Sequence, residues 1–399
     1  KLINKELHYS LYLLDYFKSI FLNKKLHILF LCGWYPSRVL PTNGDFIQRH
    51  AEAVSLLHKV SVLHIVSDKS CREDIEIVSK INNGIHTHIG YIKPSKNPIR
   101  KFFLFLKAYQ QLLLKIGVFD LIHLNTLYPF GLFALHQKKK NKIPFIISEH
   151  WTGYHKPQVT QLTLIRKLIS KRITQKAAFI CPVSNDLKKS MKLFGLKGTY
   201  KRVPNVIDTD LFLPKEKTNP VFTILHVSNM VNDHKNIEGI LRVVARLQHK
   251  INPFVFKLIG ENAAQYQSFA KQLKIKSNLL IFKNHILHKE VAQELNTSNL
   301  FILFSNYENL PCVILEAFST GTPVISTSVG GIDEYFPANF GSLIEKGNED
   351  ALFDEIVAFY NGFGIDQQEM YVYVQEHFSK KKIAQEFTKI YELSLNKKN

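Results

Sequence analysis

At 399 residues the chain exceeds what one hydrophobic core usually serves, so two domains of about 150–200 residues each are expected. Hydrophobic content of 45% and charged content of 21% argue against long disorder. Four scattered cysteines (Cys32, Cys71, Cys181, Cys312) without a CxxC pair argue against a disulfide framework or a zinc site and fit reduced cytosolic thiols.

The formal net charge is +19, and it is one-sided. Residues 1–205 carry 33 Lys+Arg against 11 Asp+Glu, a balance of +22, whereas residues 206–399 carry 19 against 22, a balance of −3. A single lysine is ordinarily a solvated face, but a half-molecule field of one sign seeks a polyanion: lipid headgroups, nucleic acid or a phosphorylated substrate. No apolar run reaches the roughly 18 residues a bilayer span needs, and no signal-peptide pattern is seen.

In chain order, residues 1–25 place Ile3, Leu7, Leu11, Leu14, Phe17 and Phe21 at helical spacing between lysines. They read as an amphipathic extension, packed on the body of the protein or lying on a membrane surface. Strand-like runs then follow at 26–32, 60–67, 119–125, 143–150 and 177–184. A Gly/Pro-marked loop and a helix at 46–59 come after the first run, and a basic helix precedes the last. Repeated strand–loop–helix order predicts an α/β fold with a parallel, doubly wound sheet. The segment 204–220 breaks the pattern with prolines and polar residues. Strands then resume at 222–228, 254–260, 278–284, 299–305 and 323–327, with helices at 236–250, 262–274, 288–297 and 311–320.

The expected architecture is therefore two doubly wound, Rossmann-like domains facing each other across a cleft: 26–205 and 206–384. The C-terminal helix, about 385–399, is a candidate to pack back on the first. Ligands in such sheets bind beyond the carboxyl ends of the strands.

The stretch "NYENLPCVILEAFSTGTPVIST" (306–327) places Glu308 in a strand-to-helix loop and Glu316 on the second turn of a helix beginning at Pro311. Backbone N–H groups from Asn309 and Leu310 to Cys312, with the helix dipole, suit a phosphate. The two carboxylates would flank that anion site. Taken alone, a solvated helix residue and a loop residue explain them as well.

With its continuation, "YENLPCVILEAFSTGTPVISTSVGGIDEY" resembles the E-x7-E signature of glycosyltransferase family 4, a retaining family with the GT-B fold. The agreement falls at Glu308, Pro311, Leu315, Glu316, Ala317, Gly321, Pro323, Val324, Thr327, Gly330, Gly331 and Glu334. Asn309 stands where the family usually has Gly, a change explained at this level by the tolerance of Asn for unusual backbone angles. "WYPSRVLPTNGDFIQRHAEAVS" is similar to the family's N-terminal loop, with Gly44 at the position that lets the backbone approach the donor diphosphate. "SEHWTGY" resembles the segment carrying the active-site histidine, here His150. "RVPNVIDTDLF" resembles the interdomain motif, and "HVSNMVNDHKNIEGIL" the diphosphate-binding segment. In the last, Lys235 is present one residue late, and Asn229 replaces the usual Arg, keeping a donor but losing a charge.

The resemblance implies a glycosyltransferase taking a UDP- or GDP-linked sugar. Lys235 and the N–H groups near residue 310 would neutralise the leaving diphosphate. Glu316 would bind the ribose, Glu308 a hydroxyl of the transferred sugar, and His150 the sugar or the acceptor side. No DxD pair stands at a strand end, so neither a metal nor another cofactor is expected. Because the first domain of this fold usually binds the acceptor, its +22 charge suggests a lipid-linked or saccharide acceptor at an anionic membrane. That implies a cytoplasmic protein, peripheral on the inner face of a bacterial plasma membrane, building a surface polysaccharide or lipopolysaccharide. Three alternatives stand: a sugar-nucleotide epimerase or phosphorylase of the same fold, a silent sugar-binding relative, and a basic nucleic-acid-binding protein. The last lacks a zinc pattern, an RNP motif and an aromatic-rich basic helix, so no nucleic-acid partner is expected.

Overall fold

The computed structural model describes residues 25–155, 163–217 and 220–396. The extension expected over residues 1–25 therefore lies outside the described residues, apart from Lys25. Two sheets organise the rest. The first has strands β1 (His27–Cys32), β2 (Lys59–Ser67), β3 (Ile75–Asn82), β4 (Ile85–Ile92), β5 (Leu121–Asn125), β6 (Phe145–Glu149) and β7 (Ile180–Pro182), in the order β3-β4-β2-β1-β5-β6-β7. The second has β8 (Phe222–Val227), β9 (Phe254–Ile259), β10 (Leu280–Lys283), β11 (Leu300–Leu303), β12 (Val324–Thr327) and β13 (Gly341–Ile344), in the order β10-β9-β8-β11-β12-β13. In each, the strand order reverses beside the first strand, which creates the crevice where ligands bind.

The second sheet is parallel throughout. The first is not, because β3 runs antiparallel to β4. A two-residue turn joins the pair, with Asn83 at φ 48° and Gly84 at φ 76°. Asn-Gly is the local signal for such a turn. β3 is nonetheless an edge strand whose side chains stay largely in water, so it lacks the apolar alternation that would mark it.

Helices cover both faces of the first sheet. α1 (Asp45–Ser55) lies on one side; α2 (Pro98–Ile116), α3 (Gly131–Asn141) and α4 (Leu164–Lys176) lie on the other, followed by α5 (Asn185–Leu193). α1 stops at Ser55, short of the expected 59, because Lys59 already pairs with His27 in the sheet. On the second sheet, α6 (Ile237–Leu247) covers one face. α7 (Gln267–Gln272), α8 (His288–Asn296), α9 (Cys312–Ser319), α10 (Glu349–Asn361) and α11 (Gln367–Phe378) complete that domain. The last helix, α12 (Lys380–Asn396), returns to the first sheet, where Ile383, Phe387, Ile390 and Tyr391 are buried with Ile47 and Val54 of α1. One continuous apolar cluster runs from Leu29 and Phe145 of the first sheet to Phe301 of the second and Phe318 of α9. The carboxyl ends of β1 and β6 are thereby set opposite those of β8 and β11.

Candidate active site

Sequence dictates the loop geometry on the first-domain side. Gly44 caps α1 at φ 75°, and a Cβ there would stand 2.7 Å from the carbonyl carbon of Trp34. Only glycine lets the β1–α1 loop fold so closely on itself. At the end of β6, the buried carboxylate of Glu149 organises the next turn. Oε1 accepts from the N–H groups of His150 (3.0 Å) and Trp151 (3.1 Å), and Oε2 from Leu127 N–H (3.2 Å) and the Tyr154 hydroxyl (3.4 Å). Desolvation raises its pKa to about 7 although all four donors oppose the shift. Sequence reading passed over Glu149; a carboxylate closing an otherwise apolar strand, next to the singled-out histidine, was the available signal.

His150 packs its ring against Phe46 (centroids 4.6 Å) and His50 (5.3 Å). Burial holds it well below the usual histidine range, so it is neutral at physiological pH. Its Nε2 is buried without a hydrogen-bond partner, as are His50 Nδ1, Arg49 Nε and Asn205 Oδ1. Asn205 joins this group across the domain boundary, donating from Nδ2 to the Leu310 carbonyl at 2.9 Å.

On the second-domain side, Pro311 caps α9 with extended backbone (φ −70°, ψ 117°), so the helix proper starts at Cys312, one residue later than expected. No side chain caps this N-terminus. Glu308 receives a hydrogen bond from Ser305 Oγ at 2.7 Å and forms an ion pair with Lys235. Lys235 ends a single helical turn, Asn232–Lys235, after β8. Gly330 and Gly331 make the loop around Glu308 possible. A Cβ on Gly330 (φ 64°) would fall 1.9 Å from the Glu308 carbonyl oxygen, and the N–H of Gly331 donates to the Asn309 carbonyl at 2.7 Å.

Asn309 has a use the sequence did not reveal. Its backbone is not in the left-handed region, so tolerance of unusual angles is not what selects Asn. The side chain bridges the domains instead: Nδ2 donates to the His150 carbonyl at 2.6 Å, and Oδ1 accepts from His155 Nε2 at 2.8 Å. A glycine could make neither bond.

Glu316 sits in a second interdomain contact. Its Oε1 meets Arg49 of α1 at 2.6 Å and His288 of α8 at 2.9 Å, and Arg49 also reaches Asp45 at 3.0 Å. Burial alone would raise the carboxyl pKa, but His288 and Arg49 together bring it down to about 2. The two glutamates of the signature thus have separate cations, Lys235 for Glu308 and Arg49 for Glu316, with the His288 ring sharing the Glu316 oxygen. Asn229, by contrast, is exposed and accepts at 3.3 Å from Val231 N–H in its own loop. Arg202 pairs with Glu334 at 2.9 Å. Glu334 in turn caps α5 of the other domain, accepting from the N–H groups of Asn185 and Asp186 at 2.8 Å each.

The structure thus brings Gly44, His150, Lys235, Glu308, Asn309, Leu310 and Glu316 to one crevice between two doubly wound domains, which defines a two-domain α/β protein with its site at the domain junction. Two family models match side by side: Glycosyltransferase Family 4 over residues 47–211 and Glycosyl transferases group 1 over residues 210–374. The chain belongs to glycosyltransferase family 4.

It is similar to the Vi polysaccharide biosynthesis protein VipC/TviE of Salmonella typhi, 38% identical over 115 residues, which are 29% of this chain and 19% of that one. The chain thus spans about a fifth of that relative. It is also similar to the putative teichuronic acid biosynthesis glycosyltransferase TuaC of Bacillus subtilis, 23% identical over 372 residues, 84% of this chain and 89% of that one. Among solved structures, Anabaena HepE in complex with UDP and glucose superposes with a TM-score of 0.69 at 16% identity, covering 92% of this chain and 99% of that one. The two-domain GT-B architecture is shared.

Proposed function

We propose that this protein transfers a sugar from a UDP- or GDP-linked donor to a lipid-linked or saccharide acceptor during assembly of a cell-surface polysaccharide, with retention of anomeric configuration. The observation that carries the reading is the Lys235–Glu308 pair at the carboxyl edge of the second sheet, tied through Asn309 to His150 of the first. Family membership supports transferase chemistry; similarity to TuaC and VipC/TviE, proteins of teichuronic acid and Vi polysaccharide biosynthesis, supports the polysaccharide context.

In this reading the pair is a resting state. An arriving diphosphate competes with Glu308 for the Lys235 ammonium and thereby releases the carboxylate to accept a hydroxyl of the transferred sugar. Lys235 then stabilises charge that grows on the leaving diphosphate, where a preorganised cation is most effective. Glu316 binds the ribose hydroxyls. His150, held neutral, offers a hydrogen bond rather than a charge to the sugar or acceptor. Asn229 contributes at most a neutral donor. The diphosphate charge is met by Lys235 and backbone N–H groups, so transfer needs no metal, and the rate in excess EDTA is expected to equal the rate without it.

A panel of UDP-, GDP-, ADP- and CMP-sugars followed by thermal shift tests the reading, since a ligand of the native state raises its stability. One nucleotide class is expected to stabilise the protein, with transfer or slow hydrolysis lost in Glu308→Ala and Lys235→Ala. No response to any nucleotide sugar would overturn the proposal. The anionic membrane partner is proposed on the basic first half; no described helix is long and apolar enough to cross a membrane.

A further inference from the structure

Away from the cleft, a groove of about 810 Å³ runs between α2 and α3, a volume typical of small-molecule sites. Phe102, Phe105, Tyr109 and Leu113 line it from α2, and Leu132 and Phe133 from α3. Only part of this apolar surface belongs to the core. α2 already packs on the sheet through Leu104, Ala108 and Leu112, all buried, whereas Phe102 is 58% and Leu132 51% exposed. Phe105 and Tyr109 pack on Phe133 at the groove's floor, and no described residue covers the apolar walls at Phe102 and Leu132.

Two further observations say what kind of ligand suits it. From Lys93 to Asn185 the chain contains only two carboxylates, Asp120 and the buried Glu149, and the groove is bordered by Lys101, His136 and Lys140. Its polar rim therefore favours an anion. At the end nearest the active site, Lys101, Phe105 and Pro129 also line a cavity of about 320 Å³ that extends to Gly33 and Asn43, beside Gly44. Groove and cavity therefore adjoin through these three shared residues, and the cavity points toward the Gly44 loop.

We propose that the groove is the lipid arm of the acceptor site. It takes one hydrocarbon chain of a phosphate-bearing amphiphile, whose head group passes Lys101 toward the Gly44 loop. This rests on the transferase reading and deepens it by making the acceptor lipid-linked. Charge selects this occupant over the chain's own residues 1–24, which carry Lys1, Lys5, Lys18 and Lys24 against Glu6 and Asp15 and bring surplus positive charge to a rim without a carboxylate.

The test uses the full chain and a long-chain prenyl monophosphate bearing a diazirine on its chain, presented in phosphatidylcholine vesicles. Photolysis is expected to label peptides within 98–113 or 131–141. Unlabelled long-chain prenyl monophosphate competes, and isopentenyl monophosphate does not. Phe102→Glu with Leu132→Glu, both at exposed positions, lowers labelling at least tenfold, while the melting temperature and the nucleotide-sugar thermal shift stay at wild-type values. Labelling confined to other segments, or undiminished in the double variant, overturns the proposal. So does equal competition by the uncharged prenyl alcohol. Lysine crosslinks from residues 1–24 to Lys101 or Lys140 in place of lipid labelling would give the groove to the chain itself, and a dimer dissociated by the double variant would give it to a second copy; either result overturns it. Groove labelling that persists without any nucleotide-sugar binding would sink the transferase reading and leave the lipid site standing.

Discussion

Asn309 shows how much chemistry a single position can hold. It stands where glycine is usual, and both ends of its amide are committed across the domain boundary, to the His150 carbonyl and to His155. Each neutral hydrogen bond is worth about 1 kcal/mol net. Asn309→Gly is therefore expected to cost about 2 kcal/mol, read as a lower urea midpoint, and to raise KM more than it lowers kcat, because closure around the substrates is weakened. An unchanged midpoint would mean the bridge is decorative. The twelve-residue register of the signature was legible because its spacing is fixed by a strand, a tight loop and a helix. What the residues touch was not. Glu316 read as a ribose ligand, and the structure adds that Arg49, 267 positions away, shares its oxygen. No local pattern announces a partner at that separation.

At the scale of elements, α1 and α9 are linked across the domain boundary by the buried Arg49–Glu316 ion pair. Both side chains are under 10% exposed, so removing Arg49 leaves a buried carboxylate with only the His288 ring beside it, a loss of up to about 3–5 kcal/mol. Arg49→Met is expected to destabilise by that amount and Arg49→Met with Glu316→Leu by distinctly less. Equal costs for the two would show that the pair does not hold the domains together. The alternating strands and helices were legible from their apolar runs, because buried parallel strands read as continuous hydrophobic stretches. The β3–β4 hairpin and α2 were missed. β3 is an exposed edge, and α2 combines a core stripe with the apolar groove stripe, which blurs its helical period.

For the whole molecule, the buried histidines set a pH dependence. His50 donates to the Pro204 carbonyl (3.0 Å), His64 to the Cys32 carbonyl (2.8 Å) and His226 to the Ile302 carbonyl (2.9 Å), each tying one segment to another. Desolvation lowers all three to a pKa of about 4, and His123 and His150 are pushed well below the usual range by the same cause. The unfolded chain protonates these rings near pH 6.5, while the native protein resists until about pH 4. Between those values the unfolded state binds more protons, so native stability is complete above about pH 6.5 and falls as pH drops, by up to about 1.4 kcal/mol per pH unit per ring. Glu149 acts in the opposite sense. Its pKa is raised to about 7, so its contribution is complete below the unfolded value and is lost as pH rises toward 7. One carboxyl does not balance five rings, and the net expectation is a steep fall in the urea midpoint from pH 7 to pH 4.5. His226→Asn, which retains an acceptor and a donor without titrating, should flatten that fall by roughly the share of one ring. A midpoint that stays constant across the interval would mean the histidines are solvated in the native protein, and the packing of both sheets around them would have to be redrawn.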